Sequence, residues 1–429
     1  MRSRGVLPVV ASLFLAGSLA ACGGDESATP KLTWYYNPDN GGAASVAAMC
    51  NEEAGAEYRI QVAALPRDSS GQREQLVRRL AAQDSSIDLM SLDVPYVTEF
   101  ANAGFLRPFT EEEAETLTEG VLEGPLASSL FEDRLYVAPF HANTQLLWYR
   151  RSVAEQAGLD PENEPVTWEQ IIAAAEETGT TVAVQARRYE GYMVWINALV
   201  ESAGGHILTN PEVGREVEPG LDTDEGRAAA EIIRSLARSS AAPAGLDNFT
   251  EEESRGALLA DDGGFLVNWP YVYSATSGGV ADGTVEQAVL DDIAWARYPA
   301  MVEGEESRPP IGGINVGIGA FTDNEDLAVD AITCITSVEG QKIYMLSEGN
   351  PAASEDVYDD PEVREAFPMA DLIAESLDGA APRPQSPFYN DVSQATVREF
   401  HPPRTVNPDR TPADAAKLIV DVLNDKVLL

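Results

Sequence analysis

Six short stretches of the chain place side chains that can grip a neutral, hydroxyl-rich solute. They are Asp39-Asn40, Asp93, His141 to Asn143, Asn268-Trp269-Pro270-Tyr271, Gly312-Gly313, and Arg383 within Ala381-Pro382-Arg383-Pro384. Aspartate, asparagine and arginine present paired acceptors or donors to adjacent hydroxyls, and aromatic faces cover the apolar C–H surface of a sugar ring. Covalent chemistry has no comparable set. The sequence contains no Gly-x-Ser-x-Gly elbow, no phosphate loop ending in Gly-Lys-Ser/Thr and no His-Glu-x-x-His. Its three histidines, His141, His206 and His401, lack metal-ligand spacing, and no cofactor is implied. Glycoside hydrolysis needs only two carboxylates, and among 70 acidic residues that requirement discriminates nothing. A secreted glycoside hydrolase therefore stands as a rival to a binding protein, as does a surface adhesin or sensor partner with no soluble ligand.

The elements that must position these residues alternate between strand and helix. Strands are expected at 32–36, 58–63, 87–93, 181–185, 264–268 and 317–321. Helices are expected at 43–53, 72–83, 168–178, 190–203, 224–239, 326–337 and 411–427. Such alternation predicts a mainly parallel sheet covered on both faces. Asp93 closes the third strand, and Asn268 and Pro270 break the strand before Trp269. A length of 429 residues suits two domains or lobes rather than one core. No repeat of solenoid period and no low-complexity linker divides the chain, which suits two lobes that exchange strands.

The balance of 29 basic against 70 acidic residues gives a net charge of −41. Such a surface repels nucleic acid and anionic lipid headgroups, so neither is an expected partner. Runs such as Glu111-Glu112-Glu113 and Glu251-Glu252-Glu253 read as solvated faces, with Glu253 kept as a candidate ligand contact. The N-terminus reads as an export signal. Arg2 and Arg4 precede an apolar stretch from Val6 to Ala16 that is too short to span a bilayer, and Leu19-Ala20-Ala21-Cys22-Gly23 follows. That order is a lipobox: cleavage after residue 21 leaves Cys22 to carry lipid, and 22–30 forms a tether. The expected location is the outer face of the cytoplasmic membrane. Cys50 and Cys334 then remain in a compartment that permits disulfides. They allow one bridge, which is favoured over two separate buried thiols.

Longer stretches carry a family resemblance. They include Gln72-Arg73-Glu74-Gln75-Leu76-Val77-Arg78-Arg79-Leu80 after Leu65-Pro66, Ile87 to Asp93 with Glu99-Phe100-Ala101, and Pro139 to Thr144 leading to Leu147-Trp148-Tyr149-Arg150. Phe265 to Tyr273, Gly312-Gly313-Ile314-Asn315, and Arg383-Pro384 with Pro387-Phe388-Tyr389 complete the series. In that order over most of the exported chain, they resemble the extracytoplasmic sugar-binding proteins of ABC importers. The superfamily is that of the maltose-binding proteins, and the likeness is greatest to actinobacterial trehalose-binding lipoproteins. The resemblance implies a type II periplasmic-binding-protein fold: two α/β lobes, three hinge crossings and a ligand cleft between them. It places the crossings near 140–144, 268–273 and 315–319, with 31–141 plus 272–314 as lobe one and 142–271 plus 315–429 as lobe two. It further implies a monomer that takes a disaccharide, trehalose first and maltose or another α-glucoside next, and passes it to permease subunits.

Site residues carry over position by position. Asp93 matches an acceptor of sugar hydroxyls, Asn143 a polar position beside the first crossing, Trp269 a stacking face and Tyr271 the same wall. Gly313 would let backbone N–H approach the ligand, and Arg383 matches an arginine that reaches into the site. Asp39 and Asn40 are candidates that turn chemistry alone could explain. The chain departs from some relatives at Ile314, where they carry tryptophan, and at His141 and Asn143, where they carry tyrosine and aspartate.

Overall fold

A computed structural model describes residues 29–429. The expected signal segment 1–21, Cys22 and most of the expected tether 22–30 lie outside the described residues. No helix among the described residues is long and apolar enough to cross a membrane.

The strands are β1 Lys31–Tyr36, β2 Arg59–Ala64, β3 Leu89–Asp93, the small hairpin β4 Leu130–Phe131 and β5 Arg134–Leu135, and β6 Val137–Thr144. Then come β7 Leu146–Arg150, β8 Thr181–Ala183, β9 Gly263–Asn268, β10 Ile293–Ala296 and β11 Ile311–Ile318. One sheet has the order β2-β1-β3-β11-β6 and the other β10-β7-β9-β8. Each nucleates its own core. Leu32, Trp34, Leu89, Phe140, Val316 and Ile332 pack in the first lobe. Trp168, Val182, Tyr192, Trp195, Ile233, Phe265 and Val267 pack in the second. A third cluster, with Ala142, Leu146, Trp148, Leu266, Ile311 and Phe367, lies beneath the junction. Helix starts follow local chemistry. Thr167 and Gln170 form a reciprocal capping box ahead of Trp168–Thr178, which satisfies two backbone N–H groups that a helix end otherwise leaves open.

The sheets are mixed rather than mainly parallel. β1 pairs in parallel with β2 and β3, and β8 with β9, but β11 runs antiparallel to both β3 and β6, and β7 runs antiparallel to β9 and β10. The cause is topological. β11 arrives from the other lobe and enters its slot from the opposite end.

The expected lobe boundaries require correction for the same reason. The first crossing falls at Gln145, between β6 and β7. Segment 272–296 stays with the second lobe, because β10 pairs with β7. The chain returns through 297–310, and β11 lies wholly in the first sheet. Helices Glu325–Ile335 and Val338–Glu348 stay there too, against helix Gly42–Glu53. A disulfide joins Cys50 of that helix to Cys334. The third crossing lies near Ala381–Phe388, ahead of Tyr389–Phe400 and Thr411–Leu423, which pack together and onto the second lobe.

Candidate functional site

The C-terminal end of β3, the strand β6, the start of β11 and the N-termini of two second-lobe helices converge on one cavity. Its volume is about 300 Å3, and its lining includes Ser69, Asp93, His141, Asn143, Tyr189, Glu190, Glu251, Trp269, Gly312, Gly313 and Arg383. The site lies where binding crevices of α/β sheets form, beyond strand ends.

Arg383 is the electrostatic centre. It is only 3% exposed and spans the lobes. Its Nη2 donates to Asp93 Oδ1 at 2.7 Å and its Nη1 to Glu190 Oε1 at 2.6 Å. Asp93 ends β3 in the first lobe, whereas Glu190 opens helix Glu190–Ser202 in the second. Ser69 Oγ donates to Asp93 Oδ2 at 3.0 Å, Ser393 Oγ to Glu190 Oε2 at 2.7 Å, and the Tyr389 hydroxyl also donates to Glu190. Burial pushes the Glu190 carboxyl up, and the Arg383 guanidinium pulls it back. The two residues ahead of the arginine are tied to both lobes: Ile311 N donates to Ala381 O and Asn197 Nδ2 to Pro382 O.

Trp269 follows β9 and is half-buried. Its ring lies against Gly312, where an added Cβ would come within 3.0 Å of it. Gly313 has φ +119°, and a Cβ there would stand 2.2 Å from the His141 carbonyl oxygen. Only glycine fits such an approach, so Gly313 closes the β6–β11 pairing besides lining the cavity. Four polar atoms of lining residues are buried without a protein partner among the described residues: His141 Nδ1, Asn143 Oδ1, the Tyr189 hydroxyl and Arg383 Nε. Asn143 also donates through Nδ2 to Asn350 at 3.2 Å. Orphaned buried polar groups are costly, and their convergence on one cavity marks a place for a polar ligand.

The structure thus brings Asp93, Asn143, Trp269, Gly313 and Arg383 together. Four other candidates lie elsewhere. Asp39 spends both carboxylate oxygens on the backbone N–H groups of Gly41 and Ala43, at 2.9 and 2.7 Å. Asn40 is exposed and binds Glu348. Glu253 closes a capping box with Thr250, and Glu251 lines the cavity in its place. Tyr271 begins helix Tyr271–Ala281, and that turn carries it away from Trp269 and out of the lining. Sequence reasoning missed Glu190, Tyr189, Ser69 and Glu251. An acidic residue opening a helix is commonplace, so Glu190 carried no signal. Asp39→Ala should lower stability by about 1 kcal/mol through the lost cap. Ligand affinity should stay unchanged; denaturant unfolding and calorimetric titration check the pair.

His141 stacks on Tyr344 with ring centroids 5.2 Å apart. Burial pushes its imidazole down to about 3, so it is neutral in the folded protein. The unfolded chain takes up a proton near pH 6.5 and the folded chain does not, so acidification costs stability from about 6.5 down to about 3. Between pH 6.5 and 5 this residue should remove about 2 kcal/mol. Raised carboxyls such as Glu190 act with the opposite sign, so the expected result is the difference in slope between the native chain and His141→Gln. Equal slopes would reject a buried neutral imidazole.

The two lobes, the crossings and the interlobe cleft define a type II binding protein. A family model described as bacterial extracellular solute-binding protein matches residues 42–342, and the chain belongs to that family. It is therefore a solute-binding protein and not an enzyme. A probable ABC transporter-binding protein of Deinococcus radiodurans is 23% identical over 347 residues, covering 78% of this chain and 79% of that one. Maltose-bound MalE3 of T. maritima superposes with a TM-score of 0.79 at 24% identity, over 92% of this chain and 100% of the other. The cyclic α-maltosyl-1,6-maltose binding protein of Arthrobacter globiformis gives 0.71 at 20% identity, again over 92% and 100%.

Proposed function

We propose that the chain captures a disaccharide between its lobes and delivers it to the membrane subunits of an ABC importer. Trehalose is the first choice, and maltose or another α-glucoside the next. The supporting observation is the convergence of four orphaned polar atoms and one half-buried tryptophan on a cavity of about 300 Å3. That volume is at the small end of the roughly 300–1,000 Å3 usual for small-molecule sites, and it suits one or two sugar rings better than a long oligosaccharide. The chain is further proposed to act as a monomer tethered through lipid on Cys22.

A melting screen over about twenty sugars tests the ligand. A ligand at 100 times its Kd adds about 2.7 kcal/mol of stability. A marked rise in melting temperature with trehalose or another α-linked disaccharide, without hydrolysis, is the expected result. A flat profile across all sugars would reject the reading. Cys22→Ser should release the protein from membranes, and firm membrane retention of that variant would reject the anchor.

A further inference from the structure

We propose that the cleft prefers disaccharides bearing a protonated amine, with Glu251 as the specificity-determining residue; this rests on the disaccharide reading above. Helix Glu251–Leu259 opens with three glutamates. Glu252 pairs with Arg255 at 2.8 Å, and Glu253 caps Thr250. Glu251 differs. Its main-chain oxygen accepts from Ser254 Oγ and Asn268 Nδ2, but among the described residues no cation pairs with its carboxyl, whose nearest polar neighbour is the Tyr189 hydroxyl. Glu251 lines the cavity together with Tyr189 and Trp269, and Tyr189 offers it a neutral hydroxyl but no charge.

The charges around it do not balance. The lining holds four carboxylates, Asp68, Asp93, Glu190 and Glu251, against two guanidinium groups. Arg383 is already divided between Asp93 and Glu190. Arg67 is exposed at the mouth. A neutral hydroxyl can fill the lone pairs of Glu251 but leaves its charge uncompensated. An ammonium supplies three donors and the charge together, and the neighbouring Trp269 face favours a cation, whereas the Tyr189 ring already has the Arg187 guanidinium over it. Burial pushes the Glu251 carboxyl up, a cost that a paired cation would offset.

Calorimetric titration of the full-length protein with trehalose, its four monoamino analogues (amine at C2, C3, C4 or C6) and a glucuronosyl analogue tests this. At least one amino analogue should bind 10-fold or more tightly than trehalose, and the uronic acid 10-fold or more weakly. Glu251→Gln should abolish the amine gain while its ligand-free melting temperature stays near that of the native chain. Trehalose binding with no amine preference, or an amine gain that survives Glu251→Gln, would overturn this inference and leave the disaccharide reading standing. Failure of neutral and amino disaccharides alike would overturn both.

Discussion

Arg383→Ala is expected to be the most damaging single substitution in the cleft. It removes the only cation that contacts Asp93 and Glu190 among the described residues and leaves two largely buried carboxylates close together. Breaking a buried ion pair from one side typically costs about 3–5 kcal/mol, since the abandoned charge keeps its desolvation penalty. Denaturant unfolding of the ligand-free protein should show a loss of that size. Arg383→Lys should fall between, because a point charge cannot reproduce a fork that grips two carboxylates. One double variant locates the effect. Glu190→Gln in the Arg383→Ala background should recover part of the loss, as one of the repelling charges is gone. A loss under 1 kcal/mol for Arg383→Ala would mean that the guanidinium does not hold the lobes together.

Trp269→Ala should behave in the opposite manner, with a large effect on binding and a small one on the fold. The indole is half-buried and packs on Gly312 at the cavity wall, not in either lobe's core. Truncating an interface tryptophan commonly costs about 2 kcal/mol or more, which is roughly 30-fold in affinity. Calorimetry with the best sugar from the screen gives the affinity, and melting of the ligand-free variant gives the stability. Unchanged affinity would remove Trp269 from the site. A drop of several kcal/mol in ligand-free stability would make it a core residue after all.

The two substitutions also mark what the sequence could and could not disclose. Trp269 was readable because Asn268 and Pro270 end the strand beside it, so an aromatic at that spot has no regular place in a sheet. Asp93 was readable because an apolar run stops on it. Arg383 was marked by its place in the Pro-flanked stretch Ala381-Pro382-Arg383-Pro384, and its reach into the site came only from the resemblance. Glu251 and Glu253 are chemically identical in a run of three, and the rotation of about 100° per residue in a helix decides which one meets the cavity. Nothing in the sequence fixes that phase. The lobe boundaries failed on β10, a four-residue strand whose place depends on pairing with a segment some 140 residues earlier, Leu147–Arg150. Local periodicity supplies the existence of an element, and long-range pairing supplies its neighbours and its direction.

The position of β11 has a consequence for how the chain is made. It sits between β3 and β6, which precede it by more than 160 residues. A polypeptide emerging N-terminus first therefore presents β3 and β6 as two open edges while residues 145–310 are being made. Open edges recruit foreign strands. The second sheet, by contrast, is complete once residue 296 is out. So the sheet that begins the chain is the last to close, and a chain cut anywhere before residue 311 leaves it without the strand that joins β3 to β6.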